Sequence, residues 1–354
     1  MDFGIAVATS TESWKVVKRA EELGFSHAWF YDTQLLNPDV FIGMALAAAN
    51  TSKIRLGTGV LIPSNRIAPV TANAFASLNK LAPGRIDFGV GTGFTGRRTM
   101  GMKAIKLSDM KEYIRIVQAL LNEETVSWEL ENEEHKIRFL NPDLGLINTK
   151  DPVPLHISAM GPKARRLTAE LGGGWLNFSG TLEGATKDLE DMQAAWAESQ
   201  RPVEALYSTC FGLGCVLKSG ETADSQRARA QAGTWVAVFF HNLVESFDDA
   251  TLAHILPPAR AELVKRYRAE VYDKYDADTK YLSLHRGHLM FIRPEEEPFI
   301  QSKEIEELTW TGTVSELQER LRGLRDAGYQ QFTIQLVEGQ EDAVEDWAEV
   351  MAGI

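Results

Sequence analysis

The sequence predicts an α/β protein, and within that class a (β/α)8 barrel. Strand-like and helix-like segments alternate along most of the chain, as in parallel βαβ units. About eight strand-like segments can be counted, the number such a barrel needs. A third observation separates the barrel from its nearest competitor, a doubly wound sheet. That fold places a glycine-rich dinucleotide fingerprint after its first strand. Here FGIAVATSTES at 3–13 contains no GxGxxG.

The elements follow in order. FGIAVA (3–8) reads as the first strand, and 13–23 as an amphipathic helix stopped by Gly24. Glycine takes the left-handed C-cap at little cost. HAWFYD (27–32) is the second strand, 39–49 an alanine-rich helix, and IRLGTGVLI (54–62) the third strand. A helix over 70–81 stops at Pro83–Gly84, and RIDFGVGTG (85–93) is a strand that breaks into glycine. A helix over 108–121 follows. LHISAM (155–160) reads as a buried strand, with Gly161 and Pro162 directly after it. Proline suits a first helical turn because its missing N–H is not needed there. Leu167 and Leu171 share one face of that helix, and Gly172–Gly174 end it. GWLNFS (174–179), a helix over 188–197, STCFGLGCVL (208–217), a helix over 313–326 ending at Gly328, and FTIQLV (332–337) complete the pattern.

Two stretches stand outside it. Residues 122–153 read as a β-hairpin or loop excursion. Residues 220–307 are long and mixed, with helices around 222–246 and 258–274. Barrels carry function in such insertions on the C-terminal face. No linker or repeat interrupts the chain, so 1–354 is expected to be one domain.

Composition narrows the function classes. The chain has 354 residues, 44% of them hydrophobic, and a net charge of -12. An acidic surface repels nucleic acid and anionic lipid, so neither is an expected partner. Cys210 and Cys215 are the only cysteines, too few for a disulfide framework or a cysteine zinc site. No stretch reaches membrane-spanning length, and the N-terminus lacks the basic and apolar regions of a signal peptide. A cytoplasmic protein is expected.

Three glycine-containing turns are candidates for ligand binding, each equally readable as an ordinary barrel turn. GTGV and GVGTG, the latter with Thr92 and Gly93, end the third and fourth strands. Glycine there either lets a flat ligand approach the backbone or makes a tight barrel corner. The turn Ser158-Ala159-Met160-Gly161 opens a helix, whose free N–H groups and positive dipole end suit an anion. Lys163, Arg165 and Arg166 add positive charge nearby.

Taken together, Asp32-Thr33-Gln34, LGTGV, VTANAFASLN, GRIDFGVGTGFTGRRTMG, ISAMGPKARRLTAELGGGW and the closing TGTVSELQERLRGLRDAGYQQFTIQL resemble the bacterial-luciferase-like flavin- or F420-dependent oxidoreductases. The resemblance spans the chain apart from 220–307. It implies a (β/α)8 barrel whose cofactor ring lies over the C-terminal ends of the strands. It implies a non-prolyl cis peptide at Gly59–Val60, beside the ring, and a cofactor phosphate held at Ser158, Ala159, Met160 and Gly161. Asp32, Gly59, Val60, Thr92 and Gly93 complete the expected cofactor site. The chain departs from the family pattern where many relatives have Asp-His after strand two, since Thr33 follows Asp32 here. Arg66-Ile67-Ala68-Pro69 likewise replaces an Arg-His-Pro triplet.

Those losses turn attention to His285 and His288, which flank Arg286-Gly287 where the resemblance places the substrate pocket. Two histidines and an arginine can orient an anionic substrate and move protons. His285, His288, Arg286 and Asp32 are therefore the candidate catalytic residues. The H-x-x-H spacing also suits a metal, but no third ligand is evident in the sequence, so no metal is expected.

The resemblance implies two chemistries. The favoured one is a two-component monooxygenase. It uses reduced FMN (FMNH2) from a separate flavin reductase, and O2, on a small organic substrate. The alternative is hydride transfer with reduced coenzyme F420. Two further alternatives are a non-catalytic flavin-binding barrel and a barrel enzyme holding a substrate phosphate at 158–161. A homodimer through the helix at 39–49 is also expected from the resemblance.

Overall fold

Eight parallel strands close into a barrel in the order β1-β8-β7-β6-β5-β4-β3-β2. They are β1 (Asp2–Val7), β2 (His27–Phe30), β3 (Arg55–Thr58), β4 (Ile86–Val90), β5 (Leu155–Ser158), β6 (Gly174–Phe178), β7 (Ser208–Gly212) and β8 (Gln331–Leu336). The computed structural model describes residues 1–354. Closure is made by β1 against β8, from Asp2 opposite Gln331 to Val7 opposite Leu336. HAWF and IDFGV are buried along their whole length, as strands covered on both faces must be. Alternate residues divide the two faces. Ile5, Val7, Ala28 and Phe30 join the core beneath the helices, while Ala6, Trp29, Leu176 and Phe211 form a separate cluster inside the barrel.

The helices α1 (Trp14–Leu23), α2 (Val40–Asn50), α3 (Ala68–Leu81), α4 (Phe94–Arg98), α5 (Leu107–Leu121), α6 (Pro162–Leu171) and α7 (Leu182–Glu198) run between the first seven strands. Asp39 caps α2 by accepting from the N–H groups of Phe41 and Ile42 at 2.9 and 3.3 Å. Gly24 and Gly172 end their helices in the left-handed conformation, as the sequence predicts. Residues 122–153 do form a hairpin, Val126–Leu130 against Glu133–Ile137, turning at Glu131 and Asn132 with positive φ.

One expectation changes. STCFGLGCVL is not one strand, because β7 stops at Gly212. Val216–Leu217 instead pairs with Gly312–Thr313 in a small sheet outside the barrel. The reason is a close crossing: a Cβ on Gly214 would lie 1.9 Å from the Trp310 carbonyl oxygen. The stretch 220–307 is a helical cap with its own buried cluster, including Val236, Phe240, Tyr267 and Phe299. It contains α8 (Gln226–Ser246), α9 (Asp249–Ile255), α10 (Pro258–Glu270), α11 (Lys280–Leu284) and α12 (Ser302–Leu308). After it come α13 (Val314–Ala327), which packs on α7, and the terminal α14 (Ala343–Met351). No helix is long and apolar enough to cross a membrane.

Candidate functional site

The C-terminal ends of the strands form a mouth whose floor is apolar. Tyr31, Val60 and Phe178 pack there on the interior cluster of Trp29, Leu176 and Phe211. The Gly59–Val60 peptide is cis. The chain then resumes beside β4, with Leu61 bridging Val90. The Tyr31 hydroxyl is buried without a hydrogen-bond partner, and burial holds it protonated far above the usual phenol range. The sequence marked this tyrosine only as a strand residue.

Most of the glycines in the two strand-end motifs are there for the protein's own packing. A Cβ on Gly57 would strike the Trp29 ring at 2.5 Å, and one on Gly89 would strike the Thr58 carbonyl oxygen at 1.9 Å. Gly91 faces Val60 Cγ2 at 2.7 Å, and Gly93, at φ +78, faces Ile62. The Gly59 position is closed by Trp29 Cβ at 2.9 Å. Thr92 lies between Gly91 and Gly93, and its carbonyl accepts from Ile105 N–H at 3.0 Å.

Gly161 is different. It is the N-cap of α6 with no side-chain cap, and a Cβ there would meet nothing within 4 Å. Ser158 ends β5, Met160 is exposed, and the buried Ala159 carbonyl accepts from Trp175 Nε1 at 2.8 Å. The turn therefore presents uncapped N–H groups to open space. One of its three expected cations is missing. Arg165 turns inward to Asp188 and Asp191 at 2.5 and 2.8 Å, leaving Lys163 and Arg166 exposed.

Asp32 lies at the mouth but is fully engaged. It is 3% exposed and pairs with Arg66 Nη1 at 2.8 and 2.9 Å. It also accepts from the Ile62 N–H at 3.1 Å and Asn65 Nδ2 at 3.2 Å. Arg66 reaches on to Asp39, and Asn65 to the Gln34 side chain. The carboxylate thus latches the loop after β3 to the loop after β2, with both oxygens engaged. The departure at 66–69 was the sequence signal for this partner, but it was read only as a lost histidine.

His285 and His288 come together with a third residue the sequence did not single out, His241 of α8. The ring centroids of His285 lie 6.3 Å from His241 and 6.2 Å from His288. Arg286 does not join them; it is exposed, near the Phe291 ring. Met290, two residues beyond His288, accepts from Asn37 Nδ2 at 3.7 Å and so ties this segment to the loop after β2. A cleft of about 480 Å³ lies between Met290–Ile292, the start of α8 and the residues just after β8, Val337 and Glu338. Burial and the neighbouring Glu341 raise the Glu338 carboxyl above the ordinary glutamate range.

A family model described as luciferase-like monooxygenase matches residues 7–351. The chain is 28% identical to a 5,10-methylenetetrahydromethanopterin reductase of Methanolobus tindarius, over 74% of this chain and 78% of that protein. It is 34% identical to an F420-dependent glucose-6-phosphate dehydrogenase of Nakamurella multipartita, over 71% of this chain and 75% of that one. In structure it is similar to the coenzyme F420-dependent tetrahydromethanopterin reductase of Methanopyrus kandleri. That similarity has a TM-score of 0.71 at 19% identity, covering 99% of this chain and 98% of the other.

Proposed function

The chain belongs to the luciferase-like monooxygenase family, and from that premise we propose that it is an oxidoreductase using coenzyme F420 for hydride transfer to or from a small organic substrate. This reverses the order in which the sequence ranked the two chemistries. One observation carries the reversal: the dehydrogenase it matches over three quarters of that protein's length is named for F420. The alternative with FMN and O2 keeps the support of the family's own description.

The mouth fits a flat ring joined to a phosphate. Tyr31 has a spare hydroxyl on the floor, and Gly161 has uncapped N–H groups facing open space. When bound, F420 supplies two-electron hydride transfer, and the protein supplies placement and proton control. Val60 and Phe178 give a ring a dry surface. The Tyr31 hydroxyl, unpartnered within the protein, would be the hydrogen-bond donor toward a bound ring. The turn 158–161 and the Lys163 N–H would hold phosphate, backed by the helix dipole and with Lys163 and Arg166 as flanking charge. Asp32 and Arg66 keep the two flanking loops in register. The cleft between Met290 and Glu338 admits the substrate, and the raised Glu338 carboxyl is placed to hold a proton there.

Anaerobic titration with F420H2 and, separately, FMNH2, followed by fluorescence, tests this. F420H2 is expected to bind at least tenfold more tightly. Tighter FMNH2 binding with reductase-dependent oxygen uptake would return the monooxygenase to first place.

A further inference from the structure

We propose that His241, His285 and His288 form a binding site for one divalent transition-metal ion of the zinc class. The three come from separate places: the last third of α8, the C-cap of α11, and the turn after it. One ring nitrogen of each lies within 4.8 Å of the other two. Nitrogens bound to a tetrahedral ion at 2.0–2.1 Å stand about 3.4 Å apart, so small side-chain rotations close the set.

The surroundings prepare these rings as ligands. In all three the Nδ1 atom is buried and has no hydrogen-bond partner. The opposite nitrogens of two rings are held by carboxylates. His241 Nε2 meets Glu296 Oε1 at 2.5 Å, and His285 Nε2 meets Glu245 Oε1 at 3.2 Å. A carboxylate at Nε2 keeps the proton there and leaves the lone pair on Nδ1, the outer-shell arrangement that orients metal-binding histidines. The carboxylates are themselves fixed. Glu296 accepts from Tyr267 at 2.8 Å and from Arg293 Nη2 at 2.5 Å, and Glu245 accepts from Arg98 at 2.6 Å. Arg293 Nη2 also lies 3.4 Å from His241 Nε2. Two glutamates balance two arginines in this shell, so an incoming cation meets no net repulsion. His288 is half-buried at the edge, which gives the ion an entry and leaves a fourth position for water or another ligand. Imidazole sets of this kind suit zinc and its neighbours, and not the oxygen-seeking magnesium or calcium. The proposal stands apart from the choice of redox cofactor.

The test uses the full-length protein, stripped with a chelator and titrated with Co2+ alone while its visible absorption is followed. Zn2+ is then added in competition. Expected are about one Co2+ per chain, bands of tetrahedral strength, and their loss on adding one equivalent of Zn2+. His288→Ala should weaken Zn2+ binding by about 100-fold or more, and Glu245→Gln by roughly tenfold through the outer shell. His135→Ala, on the exposed hairpin, should change nothing. Failure of the wild-type protein to take up a stoichiometric ion overturns the site whatever the variants do. Uptake that survives His288→Ala, or that His135→Ala lowers equally, overturns it as well.

Discussion

The barrel and its helical cap treat buried polar groups in different ways. In the barrel, buried charges are paired off. Asp87 meets Arg55 at 2.7 Å and His156 at 3.4 Å, Asp32 meets Arg66, and Arg165 meets two aspartates. Burial alone would raise the Asp87 carboxyl, but His156 and Arg55 hold it down at about 2. The cap pairs its charges too, at Glu245 and Glu296, yet beside them it brings three imidazoles close together, each with an unpartnered Nδ1. The barrel has isolated atoms of this kind, such as His156 Nδ1, but no such group. The difference teaches that a residue's type says less than what it has left to bind. Asp32 and Arg165 looked functional and are occupied by the fold; His241 drew no notice in the sequence and keeps an unpartnered ring nitrogen.

The largest effect should come from breaking a barrel pair. Arg66→Ala leaves Asp32 buried without its ion partner, and removing one member of such a pair costs about 3 kcal/mol or more. Urea unfolding of Arg66→Ala beside His288→Ala measures the contrast, since the cap variant should cost under about 1 kcal/mol. Equal costs would dissolve the distinction between the two regions.

Next comes acid sensitivity of the barrel. Burial pushes the His27 ring down to about 4, against 6.5 ordinarily. As pH falls, the unfolded chain takes up this proton before the folded one does. The stabilisation is therefore complete above pH 6.5 and lost as pH drops toward 4, by about 3 kcal/mol at roughly 1.4 kcal/mol per unit. Melting temperatures from pH 7 to 4 should fall less steeply for His27→Gln than for the wild type. Parallel curves would assign the acid sensitivity elsewhere.

The smallest effect probes the turn before α6, whose N-cap has no side-chain partner. Gly161→Asp puts a carboxylate where an anion is expected to bind. Because a Cβ there meets only open space, the melting temperature should hold. F420H2 affinity should fall by about tenfold, or 1.4 kcal/mol. Unchanged affinity would move the phosphate to another part of the mouth.

The barrel was legible because its signals are local. Strand and helix periods alternate, and glycine stops such as Gly24 and Gly328 mark helix ends within a residue. The cis bond at Gly59–Val60 was reachable only through the resemblance. The rest was hidden by distance or by face. Arg66 meets Asp32 from 34 residues away. Arg165 reads as surface charge beside Lys163 and Arg166, until α7 brings Asp188 and Asp191 against its side of α6. His241 stands in the run TWVAVFFHNLVES, where nothing nearby suggests chemistry, and its companions arrive more than forty residues later. Proximity made by tertiary packing leaves no period in the sequence.

The small sheet of Val216–Leu217 with Gly312–Thr313 has a broader consequence. Trp310 N–H donates to the Leu213 carbonyl at 2.8 Å and Gly312 N–H to the Cys215 carbonyl at 3.1 Å, so the cap departs and returns through a single doorway. Whatever is carried between those two points can lengthen, shorten or be exchanged without shifting the register of one barrel strand. The scaffold can be inherited intact while the cap evolves at its own pace.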